Sequence, residues 1–264
     1  EVAREAGATV RRETLQGKGN VVRRMFADVE ADVYVLVDGD DTYDASAAPE
    51  MVRMLLDERL DMVTGVRVTD IQAAYRPGHR FGNLMLTGMV RVVFGDRISD
   101  MLSGYRVFSR RFVKSFPALA EGFETETEFT VHALELKMPV GEVKTRYKDR
   151  PPGSSSKLNT IRDGIRILQT IIGLVRRERP LAFFGGISAV LLLGAAALFL
   201  PVFATYLSTG LVPRFPTLIA SATLAMLSFL SLACGLILDT VTRGRREAKR
   251  IAYLAVPGPG ASPG

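Results

Sequence analysis

Three carboxylates stand directly after an apolar run early in the chain. The run is VYVLV, residues 33–37, and Asp38, Asp40 and Asp41 follow it. Asp and Gly are good turn formers, which would explain one or two of these acids but not the cluster. A calcium loop of the EF-hand type needs Gly at its sixth position and Glu at its twelfth, where this chain has Tyr43 and Pro49. The pattern therefore favours a hard divalent cation, held by one or two carboxylates and completed by substrate phosphates.

Strand-like and helix-like stretches alternate from residue 1 to about residue 158. Short apolar runs predict the strands, and apolar positions recurring every three or four residues predict the helices. The predicted strands are 8–12, 33–37, 61–68, 105–108 and 139–147, and the predicted helices are 21–26, 47–60, 80–94 and 126–136. This alternation is typical of an α/β layered domain with a mostly parallel sheet, which binds ligands beyond the carboxyl ends of its strands. The carboxylate cluster falls at that edge.

The last third of the chain has the composition of a membrane anchor. Between Leu181 and Leu238 the only charged residue is Arg214. The uncharged runs 181–200 and 215–238 contain 20 and 24 residues, and about 20 helical residues cross a hydrocarbon core of roughly 30 Å. Both runs are apolar all round, which disfavours a buried hairpin of a soluble protein. Two transmembrane helices are therefore predicted.

An amphipathic stretch precedes the first apolar run. In residues 158–175, apolar side chains recur at three- and four-residue spacing with charges between them. A helix covering the sheet would give this pattern, and so would a helix lying in the membrane interface. The apolar runs that follow it favour the interface.

Basic residues stand before the first apolar run and after the second, and the loop between the two runs has few. Arg176, Arg177 and Arg179 precede the first run, further Lys and Arg residues follow the second between 243 and 250, and the connecting loop has Arg214 alone. The positive-inside rule places both basic flanks in the cytoplasm. The sequence therefore predicts a multi-pass protein of the cell (inner) membrane whose polar part is cytoplasmic. The net charge of +6 then indicates attraction to anionic headgroups. No nucleic-acid motif accompanies it, and a nucleic-acid partner is not expected.

Cysteine and histidine are scarce. The single cysteine, Cys234, lies inside the second apolar run, which excludes a disulfide framework within this sequence. Two histidines, His79 and His132, make a zinc site a poor candidate. The Pro- and Gly-rich end, residues 256–264, is predicted to be disordered.

The residues around the carboxylate cluster resemble a known family. VLVDGDDTYD is similar to the Asp-x-Asp element of family-2 glycosyltransferases, above all in the branch that moves sugars onto polyprenyl phosphates, which includes the dolichyl-phosphate mannose synthases. Further elements of that branch follow in family order. They are Gln16–Asn20 (a basic Gly-rich turn), Gly65–Arg67 and Arg80–Asn83 (paired basic elements), Asp100–Arg106 (D-x-x-S-G-[FY]-R), Phe123–Glu126 and Arg150–Lys157.

The resemblance implies a domain organisation. It predicts a GT-A-like nucleotide-diphospho-sugar transferase domain at residues 1–157, an amphipathic juxtamembrane helix at 158–179, two transmembrane helices at 180–241 and a basic cytoplasmic tail at 242–264. The family's first strand and its Pro-x-x-Asn-Glu nucleotide loop have no counterpart here, so we expect an N-terminally truncated piece of the enzyme. Thr42 stands where some relatives carry Gln, and metal ligation by Thr42 is not expected.

The implied activity is an inverting, metal-dependent hexosyl transfer from a nucleotide sugar to a polyprenyl phosphate. The resemblance implies that Asp40 and Asp38 hold Mg²⁺ or Mn²⁺. It places Lys18, Asp38, Asp41 and Glu124 near the nucleotide sugar.

Two functional roles are open for Asp100, beside a structural one as the cap of a helix or turn. It is the family-style candidate for the catalytic base. A phosphate monoester is already mostly a dianion at neutral pH, because its second pKa is about 6, and an acceptor with no proton to lose requires no base. Asp100 would then orient Arg106 or the acceptor instead. The acceptor phosphate itself is predicted to contact Arg67, Arg80, Arg106, Arg150, Ser154 and Lys157.

Two other functions are left open. A non-catalytic, membrane-anchored fragment or pseudoenzyme that binds lipid or partners would fit the missing first strand, although the intact Asp cluster opposes it. A processive polysaccharide synthase would carry a Gln-x-x-Arg-Trp element, and this chain has no Trp. The sequence does not decide the donor sugar, its base (uridine or guanosine), the acceptor length or whether the protein is a homo-oligomer.

Overall fold

The computed structural model describes residues 1–68, 88, 98–119, 124–148, 169, 172–173 and 175–260. The chain divides into two compact units. The first contains residues 1–167 and 248–264, and the second contains residues 168–247. Most of the predicted helix at 80–94 and most of the amphipathic stretch at 158–175 lie outside the described residues.

Strands and helices alternate along the first unit. Its described elements are α1 (Val2–Glu5), α2 (Lys18–Asp28), β1 (Val33–Leu36), a 3₁₀ turn (Ala45–Ala47), α3 (Ala48–Asp57), β2 (Met62–Val68), β3 (Arg106–Ser109), α4 (Arg110–Ser115), α5 (Thr125–Glu135) and β4 (Val140–Arg146). The predictions for β1, α3, β2, β3, α5 and β4 are confirmed, with small shifts at their ends. The predicted strand at 8–12 is wrong, because those residues are exposed and take no regular structure.

The described strands form one sheet in the order β1-β3-β2-β4. β2 and β4 run parallel, from the pair Met62–Val140 to the pair Val68–Arg146. β3 lies antiparallel to both of its neighbours, with Val107 opposite Val35 of β1 and Val63 of β2. Three strands therefore point the same way and β3 points against them. The sheet is therefore mixed. Most of its described strands share one direction, as expected, but β2 and β4 form the one parallel pair among the described neighbours.

Helices cover both faces of this sheet. On one face, Met51 and Leu55 of α3 are fully buried in a cluster with Val63, Val107 and Tyr105. Successive side chains alternate across a strand, so Phe108 points to the other face. There its ring centre lies 4.6 Å from that of Phe112 in α4, 4.8 Å from that of Phe129 in α5 and 5.9 Å from that of Phe26 in α2.

Two long apolar helices make up most of the second unit. They are α6 (Pro180–Thr209), with 30 residues, and α7 (Phe215–Leu254), with 40. Each is long and apolar enough to cross a membrane, and each contains one of the predicted runs. The helix α7 extends past the predicted end of its run at Leu238.

The buried residues of these helices recur every seven positions. They are Ser188, Ala195 and Val202 on α6, and Ser221, Ser228, Gly235 and Thr242 on α7, apart from Pro180 at the start of α6. A heptad seam of small residues suits close, left-handed helix packing. Ser188 and Ser228 meet across the seam, with their Oγ atoms 2.9 Å apart.

The cations that follow the second apolar run are largely paired within the chain. In the second unit Arg243 binds Asp239 and Arg245 binds Glu178, each at 3.0 Å. In the first unit Lys249 Nζ lies 2.6 Å from Oε2 of Glu135, whose side chain is fully buried. Pairing cancels part of the positive charge, so these residues attract anionic headgroups less than the sequence predicts.

The end of α7 belongs to the first unit. The Tyr253 hydroxyl donates to Oδ2 of Asp61 at 2.9 Å, and the Arg111 guanidinium lies 4.7 Å from the centre of the Tyr253 ring. Asp61 is fully buried and also accepts hydrogen bonds from Arg111 Nη2 at 2.8 Å and Ser109 Oγ at 2.7 Å. Within the tail predicted to be disordered, Gly258 lies against Arg111, and residues 261–264 lie outside the described part of the chain.

Candidate functional site

The carboxyl ends of β1 and β2 lie at one edge of the sheet, beside the beginning of β3. Arg106, the first residue of β3, is paired with Leu36 of β1 on one side and with Thr64 of β2 on the other. Residues 37–44, 65–68 and 98–105 therefore converge there. These segments carry three of the sequence motifs, at the edge where α/β sheets bind ligands.

The turn after β1 holds Asp40 in a fixed orientation. Oδ1 of Asp40 accepts hydrogen bonds from the hydroxyl of Thr42 at 2.6 Å and from the Thr42 amide at 3.3 Å. Thr42 itself is buried. Asp41 adopts a positive φ of 54°, which Asp tolerates better than most residues. The exposed Asp41 carboxylate lies 3.5 Å from Lys148 Nζ.

A single ammonium group links two carboxylates beside this turn. Lys18 Nζ, in the first turn of α2, lies 2.6 Å from Oδ1 of Asp38 and 2.6 Å from Oε1 of Glu126. Burial lowers the pKa of Lys18, but the charge of Glu126 and the hydrogen bonds to both carboxylates outweigh it, so the pKa lies above its ordinary value. Lys18 is therefore a fully charged cation at the carboxyl end of β1.

Gly104 lets the backbone approach this cluster. A Cβ added at Gly104 would overlap the Asp38 carboxylate, with Asp38 Cγ at 2.9 Å and Lys18 Nζ at 3.0 Å. The Gly104 amide donates to the Tyr43 hydroxyl at 2.8 Å, which fixes the segment in place. A side chain at the glycine of the D-x-x-S-G-Y-R motif would therefore displace the Asp38 carboxylate.

Asp100 and Arg67 form a bidentate ion pair. Arg67 Nε and Nη2 each lie 2.8 Å from a carboxylate oxygen of Asp100. Burial raises the pKa of Asp100, but the hydrogen bonds and charge of Arg67 outweigh it, so the pKa lies below its ordinary value. A carboxylate held this way is a weak base and a good orienting group for a guanidinium. Of the two roles open for Asp100, the geometry favours orientation, and the partner is Arg67 rather than Arg106.

Arg106 is fully buried inside the first unit. Its guanidinium donates to the carbonyl oxygens of Met101 at 2.7 Å and Ser103 at 3.0 Å, and to Thr130 Oγ1 at 3.0 Å. Burial lowers the pKa of Arg106 to about 10. Because it has no accessible surface, we remove Arg106 from the predicted acceptor set. Its hydrogen bonds instead hold the segment between Asp100 and β3.

The other predicted site residues fall into two groups. Glu124 lies at the N-cap of α5 with its side chain exposed, and no contact joins it to Lys18. Arg80, Arg150, Ser154 and Lys157 lie outside the described residues. Their proposed contacts with an acceptor stay predictions.

Glu126 was missed by the sequence reasoning. The segment TETE places acids at 124, 126 and 128, and their charge alone does not distinguish them. Helical spacing does not distinguish Glu126 either, because the residues from Thr125 to Leu134 are buried apart from Glu128 and share no single face.

The donor set of the turn fits a magnesium-type cation. Among the described residues, no three His, Cys, Asp or Glu side chains cluster closely enough to form a metal cage. Mg²⁺ at nucleotide sites needs only one or two carboxylates, because substrate phosphates and water complete its shell. Asp40, with one oxygen oriented by Thr42, and the half-buried Asp38 supply that number.

Residues 1–116 match the family described as Glycosyl transferase family 2. This part of the chain is a domain of that family. Its enzyme class, glycosyltransferase, is that predicted from the sequence. Several relatives carry glycosyltransferase names, which supports the same class.

Three known proteins are similar in sequence to this family-2 glycosyltransferase. An uncharacterized protein of Shigella flexneri is 54% identical over 155 residues, which cover 59% of this chain and 95% of that protein. Glycosyltransferase AglJ of Haloferax volcanii is 34% identical over 71% of this chain and 62% of its own length. A dolichyl-phosphate hexose transferase of the same organism is 25% identical over 68% of this chain and 77% of its own length.

A solved structure shares the fold of this glycosyltransferase. Glucosyl-3-phosphoglycerate synthase from Mycobacterium tuberculosis, in complex with Mn²⁺, UDP and glucosyl-3-phosphoglycerate, aligns with a TM-score of 0.50 and 20% identity. The alignment covers 66% of this chain and 62% of that one. The GT-A-like fold predicted from the sequence is confirmed.

Proposed function

We propose that this glycosyltransferase moves a hexose from a nucleoside diphosphate sugar to a polyprenyl phosphate at the cytoplasmic face of a membrane. The observation that carries the proposal is the Lys18 ammonium, 2.6 Å from Asp38 at the carboxyl end of β1. At this position a cation that can bind a diphosphate lies next to carboxylates that can bind a divalent metal. The Mn²⁺ and UDP bound by the similar mycobacterial enzyme support this assignment.

The lipid acceptor is supported by the second unit. Two apolar helices of 30 and 40 residues fit a membrane anchor, and an enzyme so anchored meets its acceptor at the membrane surface. A relative named dolichyl-phosphate hexose transferase acts on that chemical class. The excess of Arg before α6 and after the apolar part of α7 supports a cytoplasmic site.

The proposed reaction is a single displacement. An oxygen of the acceptor phosphate forms a bond to the anomeric carbon while the bond from that carbon to the donor diphosphate breaks, with inversion. A divalent cation held by Asp40 and Asp38 would neutralise the charge that develops on the leaving diphosphate. Lys18 donates hydrogen bonds to the same diphosphate. Asp100 removes no proton in this scheme, because the acceptor phosphate is already a dianion.

The acceptor phosphate requires cations. Asp100 orients Arg67 for this task by its bidentate pair, and a planar guanidinium matches phosphate geometry. We propose that Arg80, Arg150, Ser154 and Lys157 complete the acceptor site, on the strength of their positions in the sequence motifs alone.

The test is lipid glycosylation by the full chain, purified in detergent. UDP- and GDP-hexoses labelled in the sugar are each incubated with polyprenyl phosphate and Mn²⁺ or Mg²⁺, and the label in the organic phase is counted. We expect metal-dependent labelling of the lipid that mild acid releases, as for a sugar phosphodiester. Transfer to an unphosphorylated polyprenol, or nucleotide binding with no transfer to any lipid, would contradict the proposal.

A further inference from the structure

Glu126 is a buried acid with only one of its two oxygens satisfied. The residue is 6% exposed, and its Oε1 lies 2.6 Å from Lys18 Nζ. Its Oε2 has no hydrogen-bond partner among the described residues. A carboxylate in such a position is costly unless a cation compensates it, so its placement calls for an explanation beyond packing.

Lys18 is the described cation that bonds directly to it. The charge of the buried Arg106 also interacts with Glu126, but the hydrogen bonds of Arg106 go to Met101, Ser103 and Thr130. The Lys18 side chain is 16% exposed and has two carboxylate partners, Asp38 and Glu126. Only Asp38 lies in the turn that would bind a donor, and its side chain is 37% exposed.

The two carboxylates therefore have different consequences when a donor binds. Asp38 would turn toward the metal or the ribose and give up at least part of its bond to Lys18. Without Glu126, Asp38 would be the one carboxylate that holds the partly buried Lys18 ammonium, and Lys18 would have to give it up to bind the diphosphate. With Glu126 present, Lys18 keeps one anion and stays in place, so Asp38 is released at a smaller cost.

We propose that Glu126 is a positioning residue that holds the Lys18 ammonium beside the donor diphosphate and so frees Asp38 for the metal and nucleotide. This inference rests on the function proposed above. It assigns Glu126 a role through Lys18 only, with no contact of its own to the substrate.

The experiment is a double-mutant cycle in the full chain. UDP and GDP, each with Mn²⁺, are titrated calorimetrically into the wild type, Glu126→Gln, Lys18→Met and the double variant. Glu58→Gln, which removes an exposed acid at the end of α3, is the matched control. The KM values for donor sugar and for polyprenyl phosphate are measured in parallel, and melting temperatures report on folding.

We expect Lys18→Met to weaken the bound nucleoside diphosphate about tenfold to a hundredfold, the range for loss of one charge-assisted hydrogen bond. Glu126→Gln should weaken it about tenfold, raise the donor KM and leave the acceptor KM unchanged. The double variant should bind no more weakly than Lys18→Met, and the control should match the wild type. Glu126→Asp keeps the charge but withdraws it from Lys18, and its affinity for the nucleoside diphosphate should fall several-fold. This variant provides the comparison if Glu126→Gln does not fold.

Different results overturn different claims. The role of Glu126 would be overturned by any of three results: wild-type affinity in Glu126→Gln, losses of affinity that multiply in the double variant, or equal increases in both KM values. The proposed function would still stand in each case. A wild type that binds neither UDP nor GDP with Mn²⁺ would overturn the proposed function and this inference with it.

Discussion

Arg67 and Asp100 face each other through two hydrogen bonds of 2.8 Å, one to each carboxylate oxygen. The pair joins the end of β2 to the D-x-x-S-G-Y-R motif, 33 residues later in the chain. It gives the motif's acidic residue an electrostatic role, because a carboxylate bound on both oxygens by a guanidinium is a poor proton acceptor.

The first prediction concerns Asp100. Because its pKa lies below the ordinary value, the stabilisation from its pair is complete above the unfolded pKa and is lost only as the pH falls through the lower folded pKa. Asp100 therefore stays ionised from pH 5 to 8, and Asp100→Asn should lower kcat/KM without changing the shape of the pH profile over that range. The loss should be about tenfold to a hundredfold. Arg67→Lys should match it, and the double variant should lose little more. Disappearance of a titrating limb in Asp100→Asn would restore the catalytic-base role.

The second prediction separates Asp40 from Thr42. Asp40→Ala should abolish transfer without unfolding the domain, because the side chain lies at an exposed position. Thr42→Val removes the hydroxyl that orients Asp40 at 2.6 Å and should weaken Mn²⁺ binding about tenfold, as measured by electron paramagnetic resonance. Thr42→Ser keeps the hydroxyl and should bind Mn²⁺ like the wild type. Equal Mn²⁺ affinity in Thr42→Val and Thr42→Ser would show that the hydrogen bond has no such role.

The third prediction uses the close approach at Gly104. Gly104→Ala should displace the Asp38 carboxylate, since the new methyl group would lie 2.9 Å from its Cγ, and donor affinity should fall by more than tenfold. Gly244→Ala, where a Cβ meets no atom within 4 Å, is the matched control. Calorimetry with UDP or GDP and Mn²⁺ measures the effect. An alanine at 104 that leaves this affinity unchanged would mean that Asp38 does not contact the donor in the position described.

The fourth prediction concerns the end of α7. Tyr253→Phe removes one donor from the fully buried Asp61 and should lower the free energy of unfolding by about 1.5–3 kcal/mol, the value for a hydrogen bond to a charged group. Tyr206→Phe, at an exposed site, should have no effect. Thermal melts of the full chain in detergent compare the two. Identical melting temperatures would show that the Tyr253 contact does not contribute to stability.

The fifth prediction concerns topology. In a Cys234→Ala background, Leu211→Cys in the loop between α6 and α7 should react with a membrane-impermeant maleimide in intact cells. Ala255→Cys, just after α7, should react only after permeabilisation, because positively charged flanks stay in the cytoplasm. Labelling of Ala255→Cys in intact cells would refute the two-span arrangement.

Local patterns in the sequence predicted most of the fold. An apolar run such as VYVLV forms a strand because its side chains fit a buried sheet, and stripes such as Met51 and Leu55 form helices because they repeat at the helical period. These effects act over a few residues, and β1, α3 and the two apolar helices accordingly appeared where expected. Strand pairing is not local. The reversed β3 therefore gave a mixed sheet that the alternation of elements did not indicate.

The sequence by itself determined that carboxylates stand at the exit of a buried strand and that two uncharged helices follow, since composition and spacing fix both. Only the tertiary structure decided which charges meet. Lys18 joins Glu126 across 108 positions, whereas Arg106, which belongs to a matching motif, is fully buried. The physical reason is that a side chain's role depends on its burial and its partners, and both are set by contacts between segments distant in the chain.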